Sequence, residues 1–234
     1  MKESFRVQLI AVVGGSAAGK GWVVSRLCRL LGDKAAHLQL DDFYRDRSHL
    51  PPARRARINF DVPHAIDWPW TERVLRACVS GEPADLPHYD FATYSRQPSG
   101  RPWTPRPLVF VDGLWLLRPP AVRRMFDLKI FLDTPTDLRR SRRLLRDVAE
   151  RGYTAGDVQH RLRTLVEPMH ERYVEPQKRW ADVILEQPFK EPELLRLADR
   201  LWNLLQAAGA AEGCVRETFR TELADLLATH EYCN

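Results

Sequence analysis

The sequence predicts an α/β fold in which a parallel β-sheet is covered by helices on both faces. Three observations predict it: short apolar runs alternate with segments of helical periodicity, a glycine-rich loop joins the first run to the first helix, and two later runs end in aspartates. Strands that are apolar on both faces are typical of parallel sheets, because helices cover both sides. In such folds the ligand crevice lies beyond the carboxyl ends of the strands.

The predicted elements alternate along most of the chain. Strands are predicted at residues 7–13, 36–40, 107–111, 128–132 and 182–185. Helices are predicted at residues 20–31, 68–80, 136–151, 155–173 and 193–207. Residues 84–94 are predicted to form a short ribbon over the crevice. We expect residues 1–207 to form one domain and residues 208–234 to form a helical extension, with an extra helix at residues 218–229.

The composition is that of a globular protein. With 234 residues, of which 44% are hydrophobic, the chain can bury a full core. No apolar run reaches the length of a membrane span, and nothing near the N-terminus resembles a signal peptide. We therefore expect a cytoplasmic protein without a membrane partner, whose four scattered cysteines are reduced.

The net charge is +5, and arginines are concentrated between residues 139 and 151. No aromatic platform and no recognisable nucleic-acid-binding motif accompanies them, so we expect a smaller anion and no nucleic acid partner. In a helix, one face carries Leu138, Ser141, Leu145 and Val148, and the opposite face carries Arg139, Arg142, Arg143 and Arg146. A solvated basic face is an equally good interpretation of this segment taken alone.

The glycine-rich loop has the sequence "GGSAAGK" and is predicted to bind phosphate groups. It lies between a buried strand and a helix, where backbone N–H groups converge on phosphate oxygens and the helix N-terminus adds positive potential. Lys20 can reach the terminal phosphates of a nucleotide. The predicted ATP-binding residues are Gly14, Gly15, Ser16, Ala17, Ala18, Gly19, Lys20 and Gly21.

Gly21 departs from the usual pattern of such loops. The residue after the lysine is normally Ser or Thr, whose hydroxyl binds Mg²⁺. A water molecule can take the place of that hydroxyl, because Mg²⁺ commonly keeps several waters and binds one or two protein carboxylates. The metal must therefore be held by other residues.

Two aspartates at predicted strand ends, Asp41 and Asp112, are the candidates for that role. Phosphoryl transfer needs a group that orients or deprotonates the attacking hydroxyl, a metal ligand, and cations that balance the phosphoryl charge. The two aspartates, Lys20 and the arginine-rich helix supply this set. Each aspartate alone is as consistent with capping a turn, but their joint placement favours the chemical role.

From residue 5 to residue 186 the chain resembles the uridine kinase family of P-loop nucleoside kinases. The resemblance is carried by "GGSAAGK", "LDDFYRD", "NFDVPHAID", "PHYDFATYSR" and the pair "KIFLDTPTDLRRSRRLLRDVAERG" and "VEPMHERYVEPQKRWADVI". It implies a P-loop kinase fold with a small ribbon over the acceptor site and an arginine-rich lid helix. It also implies ATP and Mg²⁺ as cofactors and the 5′-hydroxyl of uridine or cytidine as acceptor.

The resemblance also implies roles for single residues. Asp41 would be the general base, with Lys20, Arg146 and Arg151 as the other catalytic residues, and Asp41 and Asp112 would hold the metal. Asp61 would bind the ribose hydroxyls, and Tyr89 and Phe91 would line the base pocket. The implied substrate-binding residues are Tyr44, Phe60, Asp61, Tyr89, Phe91, Tyr94, Arg96 and Arg143.

Some residues depart from the family pattern. Tyr94 stands where many uridine kinases have a base-reading His, Tyr153 replaces an Arg, and Arg161 replaces a Gln. The acceptor therefore stays open between uridine, cytidine and another ribosyl or small hydroxyl compound. A nucleotide-binding regulator without catalysis is a further alternative, against which the retained Asp41 and Lys20 argue. Relatives in the family are often tetramers, so a homo-oligomer is consistent with the resemblance.

Overall fold

A five-stranded parallel sheet forms the centre of the molecule. The computed structural model describes residues 6–55, 57–91, 93–97 and 100–228. In spatial order the strands are β2 (Ala35–Gln39), β7 (Leu108–Gly113), β1 (Gln8–Gly14), β8 (Leu128–Asp133) and β9 (Val183–Glu186). All seven residues of β1 are buried, since it pairs with β7 on one side and β8 on the other. The predicted α/β class is confirmed.

Alternation along β1 divides the core into two layers. Leu9, Ala11 and Val13 belong to one hydrophobic cluster, while Ile10 and Val12 belong to the other, because successive strand residues point to opposite faces. The first layer is covered by α3 (Trp68–Val79) and the short α4 (Pro120–Arg123). The second layer is covered by α1 (Lys20–Leu31), α8 (Glu191–Ala207) and α9 (Arg216–Ala228).

Helix α9 packs against α1 and α8 through buried Phe219, Leu223 and Leu227, which join the second layer of the core. It corresponds to the helix predicted at residues 218–229, whose last residue lies outside the described ones. The division of the chain after residue 207 stays a prediction. None of the helices in the described ranges combines the length and apolar character that a bilayer crossing requires.

Two small ribbons lie between α3 and β7, where one was predicted. Strand β3 (Ala84–Leu86) pairs antiparallel with β6 (Arg101–Trp103), and β4 (Tyr89–Asp90) pairs with β5 (Ser95–Arg96). The prediction of one ribbon at residues 84–94 was too short, because the partner of β3 lies further along the chain. Short helical segments lie between α1 and α3: α2 (Pro52–Arg55) and 3₁₀ turns at Gly32–Lys34, Leu40–Phe43 and Pro63–Ala65.

Helix α5 (Thr136–Arg151) is followed by α6 (Ala155–Arg161) and a helical path that runs to Trp180. The path contains π-helical turns at Leu162–Val166 and His170–Val174, α7 (Glu167–Met169) and a 3₁₀ segment at Glu175–Trp180. One regular helix over residues 155–173 was therefore wrong in detail. Pro168 and Pro176 lack the N–H group that an α-helical ladder needs, so wider and tighter turns replace it.

The orientation of α5 is opposite to what its hydrophobic pattern suggests. Arg139, Arg143 and Asp147 are buried, whereas Leu145 is 69% exposed and Val148 is 43% exposed. A solvated basic face is thus excluded for these arginines. The charged face is turned inward, towards the loop that follows β1, where Arg143 Nη1 donates to Ser16 Oγ.

Candidate active site

The loop between β1 and α1 is shaped by its glycines. A Cβ atom on Gly14 would stand 2.8 Å from the backbone oxygen of Leu132, so only glycine fits beside β8. Gly19 has a φ of 87°, in the left-handed region that glycine adopts without steric cost. Helix α1 begins at the next residue, Lys20, so the free N–H groups of its first turn face the loop. This arrangement is an anion-binding site.

Lys20 folds back over the loop. Its Nζ donates to the backbone oxygens of Gly14, at 3.1 Å, and Gly15, at 2.8 Å. Burial lowers the pKa of Lys20, while the negative charges of Asp112 and Asp41 act in the opposite direction. The lysine, the loop and both aspartates therefore share one electrostatic environment.

Asp41 and Asp112 follow neighbouring strands, which brings them to the same edge of the sheet. Asp41 lies in the turn after β2, and Asp112 lies near the end of β7. Desolvation in the cleft, and then the negative charge of Asp112, raise the pKa of Asp41. The positive charges of Lys20 and Arg146 act in the opposite direction. His37 Nε2 on β2 lies 3.2 Å from Asp112 Oδ1 and helps to orient this carboxylate.

Two cavities meet at this edge. The first, of about 610 Å³, is lined by the loop and its aspartates, including Ala17, Gly19, Lys20, Gly21, Trp22, Asp41, Asp112 and Arg146. The second, of about 420 Å³, is lined by Ser16, Asp41, Tyr44, Phe60, Asp61, Phe91, Tyr94, Arg143, Arg146 and Arg151, among others. Asp41, Arg146 and Glu150 line both cavities. A reacting group in one cavity can thus face a reacting group in the other across Asp41.

Asp147, a residue that the sequence analysis missed, anchors the arginines of α5. Its carboxylate accepts from Arg143 Nε at 3.2 Å and from Arg146 Nε at 2.9 Å, and lies 3.6 Å from Arg151 Nε. Arg143 Nη1 also donates to Ser16 Oγ at 2.7 Å and to Asp61 Oδ1 at 3.3 Å. The signal in the sequence was an acidic residue four positions from two arginines and adjacent to a third.

Two further residues missed by the sequence analysis form hydrogen bonds with the backbone of the loop. Gln187, which follows β9, donates from Nε2 to the backbone oxygen of Ala18 at 2.9 Å and accepts from Arg142 Nη1 at 2.9 Å. Thr134 Oγ1 donates to the same Ala18 oxygen at 3.1 Å. Both are buried. No local pattern in the sequence marks either contact, because each joins distant segments.

The second cavity has an aromatic wall. The Tyr94 ring is stacked on Phe60, with centroids 5.3 Å apart and planes inclined by 11°. The Tyr44 ring meets Phe60 and Phe91 edge-on, and the Arg151 guanidinium lies 4.9 Å from the Phe91 ring centroid. These side chains leave a space with flat apolar surfaces beside the carboxylates of Asp41 and Asp61.

Tyr89 and Arg96, both predicted to bind substrate, are set behind this wall. Tyr89 is buried against Tyr44 and Phe91. The Arg96 guanidinium donates to the backbone oxygen of Tyr44 at 2.8 Å and pairs with Asp67. Neither residue is among those that line the cavity. Their direct contact with a substrate stays a prediction, and in the structure they support residues that do line the cavity.

The chain is similar to known proteins over most of its length. A model of the phosphoribulokinase/uridine kinase family matches residues 9–190. A uridine kinase of Chloroflexus aggregans is 45% identical over 181 residues, which are 77% of this chain and 87% of that protein. A uridine kinase of Deinococcus deserti is 39% identical over 195 residues, covering 82% and 94% of the two chains.

Solved structures are similar in fold. Phosphoribulokinase from Rhodobacter spheroides has a TM-score of 0.59 at 22% identity, covering 78% of this chain and 71% of that one. D-Glycerate 3-kinase from Cryptococcus neoformans has a TM-score of 0.55 at 16% identity, covering 81% and 90% of the two chains. At this level of identity the likeness concerns the fold alone.

Proposed function

The chain belongs to the phosphoribulokinase/uridine kinase family, and we propose that it is an ATP-dependent kinase that phosphorylates the 5′-hydroxyl group of a pyrimidine nucleoside. The observation that carries this proposal is the junction of the two cavities at Asp41 and Arg146. One cavity presents an anion-binding loop and the other presents an aromatic wall with carboxylates. This pairing suits a phosphate donor and a nucleoside acceptor that react where the cavities meet.

The loop cavity binds the donor. Backbone N–H groups of residues 14–19 and the N-terminus of α1 receive the phosphate oxygens of ATP, and Lys20 exchanges its contacts with backbone oxygens for the terminal phosphates. Arg146 and Arg151, held by Asp147, neutralise the charge that develops on the transferred group. The division into a kinase domain at residues 1–207 and an extension at residues 208–234 is part of the proposal.

The donor set of the loop cavity fits Mg²⁺. Among the described residues no group of three or more His, Cys, Asp or Glu side chains could hold a metal ion. Mg²⁺ does not need one, because it commonly binds one or two carboxylates together with substrate phosphates and waters. Asp112 and Asp41 are those carboxylates. When bound, the ion supplies positive charge that screens the phosphate oxygens.

The aromatic cavity binds the acceptor. Asp61 accepts hydrogen bonds from the ribose hydroxyls, and Arg143 fixes the Asp61 carboxylate. The rings of Phe60, Phe91 and Tyr94 offer flat surfaces for a planar base. In this binding mode the 5′-hydroxyl of the nucleoside lies towards the shared edge of the two cavities.

Asp41 is the general base of the proposed reaction. It accepts the proton of the 5′-hydroxyl as the oxygen forms a bond to the γ-phosphorus, and the bond from that phosphorus to the β,γ-bridging oxygen breaks. The products are a nucleoside 5′-monophosphate, ADP and a proton.

The test is a panel of acceptors with ATP and Mg²⁺ in excess. Uridine and cytidine are compared with adenosine, nicotinamide riboside, ribulose 5-phosphate and D-glycerate, and ADP release is followed continuously. We expect turnover with a pyrimidine nucleoside and a 5′-monophosphate product by ³¹P NMR. Turnover confined to a sugar phosphate or glycerate would overturn the acceptor assignment. ATP binding without turnover of any acceptor would favour a regulator that lacks catalysis.

A further inference from the structure

A third, much smaller cavity borders the aromatic cavity. Ser16, Asp61 and Leu114 line both of them. The remaining wall of the small cavity is formed by Trp115, which follows β7, and by residues of the helical path after α6: Val166, Met169, His170 and Val174. The cavity leaves about 10 Å³ for the centre of a water-sized sphere, and a single water molecule requires roughly that much space.

Two residues of this wall carry buried polar atoms that other side chains do not satisfy. Within the part of the chain that the structure describes, Trp115 Nε1 and His170 Nδ1 have no hydrogen-bond partner. The Trp115 residue is only 1% exposed, so bulk solvent does not reach its indole N–H group. Leaving such a group unsatisfied is costly, and proteins commonly satisfy it with a buried water molecule.

The surroundings of His170 determine which of its ring nitrogens accepts a hydrogen bond. His170 Nε2 lies 3.4 Å from Glu175 Oε2. Burial, and then the charge of Arg139, lower the pKa of His170 to about 4, so the ring is neutral at neutral pH. A neutral imidazole has one N–H group and one acceptor nitrogen. Because an ionised carboxylate only accepts, the proton belongs on Nε2 and the lone pair on Nδ1.

Ser16 and Asp61 complete the polar set around the cavity. Asp61 has the only carboxylate among the described residues that line it, and this group accepts hydrogen bonds. Arg143 Nη1 donates to Ser16 Oγ at 2.7 Å, so the proton of this hydroxyl group is available to donate. With the indole N–H of Trp115 and with His170 Nδ1, the set contains two donors and two acceptors. A water molecule accepts two hydrogen bonds and donates two.

We propose that this cavity binds one water molecule, which accepts from Trp115 Nε1 and Ser16 Oγ and donates to His170 Nδ1 and to the Asp61 carboxylate. Trp115 and His170 are then positioning residues that orient Asp61 through the water, whereas Arg143 contacts Asp61 directly at 3.3 Å. The water site does not depend on the reaction. Its effect on the acceptor rests on the proposed function, in which Asp61 binds the ribose hydroxyls.

The water is tested directly, without a substrate. A high-resolution crystal structure should show one water molecule within hydrogen-bond distance of Trp115 Nε1 and His170 Nδ1. In solution, the indole proton of Trp115 should show NMR cross-relaxation with a long-lived bound water, and Trp115→Phe assigns this signal because it removes the proton. His170→Gln keeps an N–H group near the Nε2 position but no acceptor near Nδ1, so the cross-relaxation should disappear. His170→Asn places an amide oxygen near the Nδ1 position and should retain it.

The positioning role is tested by kinetics. Trp115→Phe keeps an aromatic ring in the wall and should raise the KM for the nucleoside by about fivefold, the size of one ordinary hydrogen bond, with little change in kcat. His170→Gln should have the same effect, and His170→Asn should restore most of the wild-type KM. Combining Trp115→Phe with His170→Gln should raise KM no further than either change alone, because both remove the same water. Trp202→Phe, in the second layer of the core, is the matched control and should leave KM unchanged.

The outcomes separate the water site from the proposed function. Absence of the water from the crystal structure, or of cross-relaxation at the Trp115 indole of the folded protein, would overturn the site. A bound water together with an unchanged nucleoside KM in folded Trp115→Phe and His170→Gln would overturn the positioning role. Absence of phosphorylation of every nucleoside would contradict the proposed function, while the crystal structure and NMR still decide the water site. If Trp115→Phe does not fold, the two His170 variants carry the comparison.

Discussion

A side chain at position 21 would face the Asp112 carboxylate directly: a Cβ atom built on Gly21 stands 3.7 Å from Asp112 Oδ2. This is an ordinary van der Waals distance, and the backbone at Gly21 is not in the left-handed region. The place where related loops carry a hydroxyl therefore lies beside the carboxylate that we assign to Mg²⁺. We propose that Gly21 and Asp112 belong to one metal environment, in which a water replaces the missing hydroxyl.

We predict that a hydroxyl group at position 21 strengthens Mg²⁺ binding. Gly21→Thr should fold and should lower the Mg²⁺ concentration for half-maximal turnover by about threefold, because its hydroxyl replaces a water as ligand. Gly21→Ala adds the Cβ without the hydroxyl and should leave that concentration unchanged. Mg²⁺ titrations of turnover and of ATP binding by calorimetry measure both. Weaker Mg²⁺·ATP binding by a folded Gly21→Thr variant would contradict the prediction.

Lys20 is predicted to bind the terminal phosphates of ATP. Lys20→Ala removes the cation that lies over Gly14 and Gly15 and should weaken ATP binding or turnover by at least about tenfold. Lys190→Ala is the control, because Lys190 is exposed and pairs with Glu186 on the surface. Unchanged ATP titration and turnover in Lys20→Ala would remove the loop lysine from the mechanism.

We predict that the inward arginine face of α5 stabilises the folded protein. Arg143→Leu leaves the buried Asp147 without one of its partners and should lower the free energy of unfolding by about 3 kcal/mol. Leu145→Gln changes a side chain that is 69% exposed and should alter the free energy of unfolding by less than about 0.5 kcal/mol. Urea unfolding of the wild-type protein and the two variants measures both changes in the free energy of unfolding. The reverse order would mean that the leucines, not the arginines, face the interior.

His170 is predicted to make stability depend on pH. Burial, and then the nearby charge of Arg139, lower the pKa of His170 to about 4. Between about pH 6.5 and about pH 4 the unfolded chain binds a proton that the folded chain does not, so stability falls as the pH falls through this window. The loss is on the order of 3 kcal/mol. His170→Gln should reduce this decline, whereas the exposed His49→Gln should not; equal declines in all three proteins would refute it.

The sequence predicted the parts of this molecule that depend on local patterns. The five strands, the loop from Gly14 to Lys20, and the approach of Asp41 to Asp112 all follow from periodicity and from the topology of parallel sheets. Periodicity gives the spacing of a helix face but not which face is buried. In α5 the buried face is the one on which Arg143 and Arg146 pair with Asp147, and Leu145 is left exposed.

Contacts between distant segments could not be predicted from local sequence patterns. Gln187 binds the backbone of Ala18, and β3 pairs with β6. Each contact joins segments that are distant in the chain, and no local sequence pattern indicates it. The contact of Tyr94 with Tyr153, and of Tyr153 with Arg161, is of the same kind, since three elements contribute one residue each. Their identities stood out in the sequence as departures from the family pattern, but their mutual contact required the structure.

The most direct test of the account compares Asp41→Asn with Asp42→Asn. Asp42 is buried and accepts hydrogen bonds from the Tyr89 backbone N–H, at 3.4 Å, and from Arg101, so its role is structural. At saturating ATP and nucleoside, Asp41→Asn should lower kcat on the order of a hundred- to ten-thousandfold, with KM and melting temperature little changed. Asp42→Asn should lower the melting temperature and retain turnover. A folded Asp41→Asn enzyme with kcat within about threefold of wild type would contradict the assignment of Asp41 as the general base.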